Sequence, residues 1–452
     1  MPRSARPILF VSSSGSGVLN PMLVLAGEFA RRGIPGLWFA ADEHCRPDVD
    51  AIRGRSTFAF ASLGAEIPEL SPTSWDDDTY REITQRSTWK ALRATALHTL
   101  EPSLRLDKHE RLDEIVRRVE PALLVVDKVS AYAARLAIAR GIPYVVAGPF
   151  MPSNMLYPKV PKGFPAPNSG LGRHMTRAER LANRLFPLRT AGLLRHPRIV
   201  AALLRFVRAR KRLGIPAHAG RPTAVTDHAH LVLCHTLPGV DYPMPLPDNV
   251  RTLGAMIPPL PEAPGVDDDL SAWLDAHDSI VYIGLGTITR LSAEQITTLV
   301  DVASKLDDHH VLWKLPKTQH GLLPRADRLP PNLRIESWLP SQLDVLAHPN
   351  VRVFVNHAGG GGFNEGLALG KPMVLHPLWV DCHDQAVRGA DAGVSLTLAD
   401  ERFDLDEVVH KVRRVLTEES FTARAEHFRR LQLELGGRRA AADAILGLPI
   451  LR

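Results

Sequence analysis

At 452 residues the chain is long for one domain and suits two, each large enough to bury its own core. Apolar content of 45% and charged content of 23% exclude disordered, collagen-like and membrane-embedded classes, and no apolar run nears the roughly 18 to 20 residues that span a bilayer. The net charge of +6 permits anionic ligands, yet basic residues are not interleaved with aromatics as a nucleic-acid platform requires, and the scattered Cys45, Cys234 and Cys382 exclude a metal cluster or a disulfide framework.

From the N-terminus, residues 8–11 are an apolar strand run, too short for a signal peptide, and the expected location is cytoplasmic. Residues 12–19 read as a serine/glycine turn and 21–32 as a helix that stops at Gly33. Gly15-x-Gly17 lacks the third glycine and the downstream acid of a dinucleotide loop. Strands follow at 37–41, 58–63, 123–126 and 144–146, with helices at 112–119 and 132–139. This alternation predicts a parallel sheet with crossover connections, an α/β domain over 1–240. Within it, 173–213 mixes arginines with leucine, isoleucine and phenylalanine at helical spacing. That pattern reads as a pair of surface helices or as a peripheral membrane contact. The proline-rich stretch 241–265 is the expected linker. Alternation resumes with strands at 280–284 and 310–314 around a helix at 293–306, in a second domain over 266–420. A helical, arginine-rich segment, 421–452, ends the chain.

The most informative stretch is 338–391. A β-branched run at 351–355 leads to His357, four glycines (359–362) and a helix-like pattern carrying Glu365, Leu367 and Leu369. Strand, glycine turn and helix start make an anion site, because unpaired N–H groups and the helix dipole meet a closely approaching phosphate there. A second apolar run, 372–375, leads to Asp381, a carboxylate just beyond a strand end, where parallel sheets bind ligands. Together these residues form a nucleotide clamp. With Trp338, Pro340 and His348 upstream, and His357 and Glu365 eight residues apart, the stretch resembles the signature box of family 1 nucleotide-sugar-dependent glycosyltransferases, the UDP-glycosyltransferases.

The resemblance implies a GT-B fold, two Rossmann-like α/β domains facing across a crevice, with the terminal helix crossing back to the N-terminal domain. It implies an inverting enzyme that moves a hexose from a UDP-sugar co-substrate to a hydrophobic small-molecule acceptor, without a metal or other cofactor. On the donor side, Trp338 would stack on uracil, and Ser341 and Gln342 share the next polar position after a one-residue insertion. His357 would bond a diphosphate oxygen, with the N–H groups of Gly361 and Gly362, and Gly286 and Thr287 would add a phosphate contact. Glu365 would take the ribose hydroxyls and Asp381 the sugar hydroxyls, Cys382 standing where the family has a second acceptor. The interval from Asp381 to Gly393 keeps the family spacing, which aligns Asp381 rather than Asp384.

On the acceptor side, to which Val18 and Phe150 are assigned and where the resemblance implies that 173–213 lines the cleft in preference to a membrane contact, the family turn carries a base histidine. Here Gly17-Val18-Leu19-Asn20-Pro21 has Val18 in its place, while the carboxylate that orients the histidine is retained as Asp127. Three explanations stay open: Asp127 or His44 serves as base, the acceptor is already acidic or strongly nucleophilic, or the protein is a catalytically silent nucleotide-sugar-binding or accessory partner.

Overall fold

The computed structural model describes residues 6–103, 105–263, 267–399 and 402–451. Residues 264–265 of the expected linker lie outside them. Packing divides the chain into two units: one holds the residues through Ser169, His174–Ile257 and the stretch from Leu435 on, the other Gly170–Arg173 and Pro258–Glu434.

The first unit is built on seven parallel strands, β1 (Ile8–Val11), β2 (Leu37–Ala41), β3 (Phe58–Ser62), β4 (Leu123–Asp127), β5 (Tyr144–Gly148), β6 (Leu231–Cys234) and β7 (Val250–Thr252), in the order β3-β2-β1-β4-β5-β6-β7. Successive side chains enter opposite cores. Leu9, Val11, Leu124 and Val126 face one; Ile8, Phe10, Val125 and Val145 face the other, where Ala441, Ala442 and Ile445 of helix Arg438–Leu446 cover them. The strand order reverses between β1 and β4, so the loops after them open a crevice at the carboxyl edge of the sheet.

The second unit has six parallel strands, β8 (Ile280–Gly284), β9 (His310–Lys314), β10 (Leu333–Glu336), β11 (Val351–Asn356), β12 (Met373–Leu375) and β13 (Ser395–Thr397), in the order β10-β9-β8-β11-β12-β13. Val281, Ile283, Val353 and Val355 fill one face, and Tyr282 stacks on Phe354 at 5.2 Å on the other. Its reversal lies between β8 and β11.

Three local readings change. The helix expected at 21–32 is Ser16–Arg31, because the Gly15 carbonyl already accepts from Val18 and Leu19, so helical bonding starts ahead of Pro21. Residues of the expected linker form β7: its prolines stop at Pro247 and resume at Pro258, and the window between them supplies buried Val250 to the sheet edge. The final helix is two, Glu419–Leu435 and Arg438–Leu446, broken where Gly436 and Gly437 take φ of +83° and +51°.

Candidate functional site

In the second unit Lys314 at the end of β9, Gly286 and His357 on the turns after β8 and β11, and Asp381 at the start of the helix after β12 come to one sheet edge. His357 follows β11, and its imidazole lies between two glycines: a Cβ on Gly286 would come 2.4 Å from its Cε1, and one on Gly359 2.3 Å from its Nε2. Only glycine fits at either place. Gly286 also needs its φ of +79°. Burial, with His376 adding repulsion, pushes the His357 imidazole down to about 4. It is therefore neutral at pH 7, and its Nδ1 has no hydrogen-bond partner.

Helix Gly360–Ala368 begins beside it. Gly359 is its N-cap and offers no side-chain cap, so the N–H groups of Gly360, Gly361 and Gly362 are left to an anion. One turn on, Glu365 accepts from Gln342 Nε2 at 2.7 Å, and Gln342 Oε1 accepts from the Tyr282 hydroxyl at 2.9 Å. Burial is the main cause that raises the Glu365 carboxyl, Glu262 adds to it, and Gln342 and Lys314 oppose it. Trp338 is 64% exposed, an aromatic face left open to solvent. Thr287 is exposed on the turn after β8.

Asp381 sits in the first turn of helix Val380–Asp391 and accepts from Gln385 Nε2 at 2.9 Å. Burial raises its carboxyl to about 6, with neighbouring Asp384 contributing. Asp384 itself is buried and accepts from the Gly170 N–H at 2.9 Å.

Two donor assignments do not fit their places. Cys382 is buried, because on this helix residue 382 shares the inward face with Gln385, Ala386 and Gly389. Ser341 is the N-cap of helix Gln342–Ala347: its Oγ accepts from the Asp344 N–H at 3.0 Å and gives its one proton to Glu262 at 2.8 Å, which leaves no donor for a base. Gln342, with both polar ends engaged, supports Glu365 instead.

In the first unit the carboxyl edge gathers the turns after β1, β2, β3 and β4. Asp127, at the end of β4, is wholly buried, and its two oxygens accept from the N–H groups of Ser13, Val129 and Ser130 and from the Ser130 hydroxyl. Four donors saturate the carboxylate. It pins the turns after β1 and β4 and has no lone pair facing a substrate, so it does not suit the role of base. Val18 is half-buried in the first turn of its helix, and Phe150 packs over Gly148 and partly into the core. His44 is exposed on the turn after β2. Glu66, which the sequence reading did not single out, follows β3 and accepts from the Ser14 hydroxyl at 3.2 Å. A carboxylate a few residues beyond a strand end was the signal that could have found it.

Residues 79–432 match the family described as UDP-glucoronosyl and UDP-glucosyl transferase. The chain is similar to 4'-demethylrebeccamycin synthase of Lentzea aerocolonigenes, 24% identical and covering 97% of both chains. It is 26% identical to human UDP-glucuronosyltransferase 1A5 across 55% of this chain and 44% of that protein, and it spans less than two thirds of the length of several curated relatives. Among solved structures, the glycotransferase of kitacinnamycin superposes with a TM-score of 0.72 at 21% identity, over 99% of this chain and 100% of that one. The fold is thus the α/β, two-domain GT-B fold. By its match over most of its length, the chain belongs to the UDP-glucoronosyl and UDP-glucosyl transferase family.

Proposed function

We propose that the protein is an inverting glycosyltransferase that moves a hexose from a UDP-sugar to a hydrophobic small-molecule acceptor, in the manner of natural-product glycosylation. The observation that carries this reading is the neutral His357 imidazole, held between Gly286 and Gly359 beside the uncapped start of helix Gly360–Ala368. A diphosphate placed there takes one imidazole N–H and the backbone N–H groups of Gly361 and Gly362, donors already fixed before charge develops on the leaving group. In this reading the leaving group is stabilised by these donors rather than by a metal, and the UDP-sugar is a co-substrate with no further cofactor. Glu365 takes ribose hydroxyls, Trp338 stacks on the base, and Asp381 accepts from sugar hydroxyls.

The acceptor belongs to the first unit. We assign Glu66 as the base in place of the histidine that Val18 replaces, because it is half-exposed at the carboxyl edge and tied through Ser14 to the turn that carries Val18. The acceptor oxygen, giving its proton to Glu66, bonds the anomeric carbon as the bond to the diphosphate oxygen breaks, inverting that centre. A cytoplasmic location suits the three unpaired, buried cysteines, and no helix among the described residues is long and apolar enough to cross a membrane.

Calorimetric titration with UDP, dTDP and GDP tests the donor site. Micromolar UDP binding lost in His357→Ala is expected, and no binding of any nucleotide refutes the reading. UDP release with a pool of phenols, thiols and alcohols then separates transfer from binding alone. Glu66→Gln is expected to lower kcat about 100-fold or more. Parent-like turnover in that variant, with loss in His44→Ala, moves the base to His44.

A further inference from the structure

Between Glu179 and Asp227 the chain carries eleven lysines and arginines and no acidic residue. Helices Arg177–Gly192 and Pro197–Arg212, joined by the turn Leu193–Arg195, occupy most of this stretch. Both seat on helix Thr88–Ser103: Phe186 packs edge-on against Trp89 at 6.1 Å, and Ile199 lines a shared cavity with Leu97 and Leu100. On the sides away from these anchors, leucine and valine stand in the open. Leu181 and Leu188 lie seven residues apart on the first helix, beside exposed Arg177 and Arg184. Val200, Leu204 and Val207 form an i, i+4, i+7 row on the second, beside Arg208 and Lys211. With Leu194 on the connecting turn, they make up six of the fourteen exposed large apolar side chains among the described residues, Leu188 being 68% exposed and Leu204 52%.

Apolar side chains scattered singly on a solvated helix are ordinary, but a contiguous row of them set among cations is not. Leucines interleaved with arginines, with Glu179 in the capping box of the first helix and Glu110 paired to Arg212 of the second as their carboxylates, match a boundary where acyl chains lie under anionic headgroups. The cavity of about 340 Å³ between helices Thr88–Ser103 and Pro197–Arg212 repeats this pattern, with Arg198 and Arg205 in an otherwise apolar lining. From the two exposed faces and their charge, we infer that the helix pair is a docking surface for an anionic phospholipid bilayer, making this protein a peripheral membrane protein. This inference is independent of the donor site.

Flotation of the full chain with vesicles tests it. Binding to vesicles of phosphatidylglycerol and phosphatidylcholine is expected, with little on phosphatidylcholine alone and steep loss at 0.5 M salt, where the Debye length is about 4 Å. Leu188→Ser/Leu204→Ser, both exposed and remote from the fold's core, should weaken vesicle binding about 100-fold at low salt by removing buried apolar area. Arg184→Glu/Lys211→Glu should weaken it at least 25-fold, about five-fold per cation lost. UDP affinity in each variant reports intact folding. Absence of binding to the anionic vesicles overturns the inference. So does parent-level vesicle binding by the leucine variant, because that describes a polycation that binds any polyanion, which binding to a short DNA duplex would confirm.

Discussion

Replacing Gly286 by alanine tests whether the glycine cradle serves the anion site. The new Cβ lies 2.4 Å from His357 Cε1, about 1 Å closer than ordinary contact allows, so the imidazole has to swing out of its slot. At a φ of +79° the substitution also strains the backbone by about 1–2 kcal/mol. That lowers the melting temperature of a unit of this size by roughly 2–8 °C, leaving it folded at 25 °C. Losing one N–H bond to a charged phosphate costs about 1.5–3 kcal/mol, which is about 10- to 150-fold in Kd. Calorimetric titration with UDP, at a temperature where far-UV dichroism matches the parent, measures it. The Gly286→Ala/His357→Ala pair sharpens the result: if Gly286 acts through the imidazole, the double variant binds as His357→Ala alone does. Parent-like affinity in a folded Gly286→Ala, or losses that simply add, would refute the cradle argument.

Gln342→Leu unties Glu365 from Tyr282, so UDP should bind about five-fold more weakly while dUDP changes little; an unchanged UDP-to-dUDP ratio removes Gln342 as the residue that positions Glu365. Asp42→Ala strands the buried Lys108 ammonium, now bonded to Asp42 at 2.6 Å and to the Leu63 and Ala65 carbonyls. A loss of about 3–5 kcal/mol in urea unfolding is expected, with much of it recovered by Asp42→Ala/Lys108→Met. Burial holds His235 down to about 3, and His357 and His383 down to about 4. Unfolded imidazoles titrate near 6.5, so between those values the unfolded chain binds more protons. Stability is then full above about pH 6.5 and falls as pH drops toward 4. Urea midpoints that stay flat across that window contradict it. Asp381, raised to about 6, should accept sugar hydroxyls more strongly when ionised than when protonated. The preference for UDP-sugar over UDP is therefore expected to shrink between pH 7.5 and 5.5, and an unchanged preference rejects Asp381 as the sugar ligand.

What short-range physics sets was readable along the chain. Alternating apolar runs and glycine stops made two parallel α/β units readable, and β11, the glycine turn and the helix that follows it place an anion site wherever they occur, because orphan N–H groups and a dipole are local properties. His357 and Glu365 stood out on that unit through its resemblance to the family's signature box. Tertiary structure decided which residues beside them are available. Cys382 is adjacent to Asp381 in sequence but turned about 100° around the helix into the core, and the Ser341 hydroxyl is spent on capping its helix. Asp127 was visible as a strand-end carboxylate, but its saturation depends on Ser13, 114 residues away. Likewise Gly286 read as a turn, and only the packing of β8 beside β11 shows that the His357 ring needs the space its missing side chain leaves. Glu66 stayed hidden because its neighbour Ser14 is brought to it by a sheet order, β3-β2-β1, that non-local hydrogen bonding sets and no local pattern encodes.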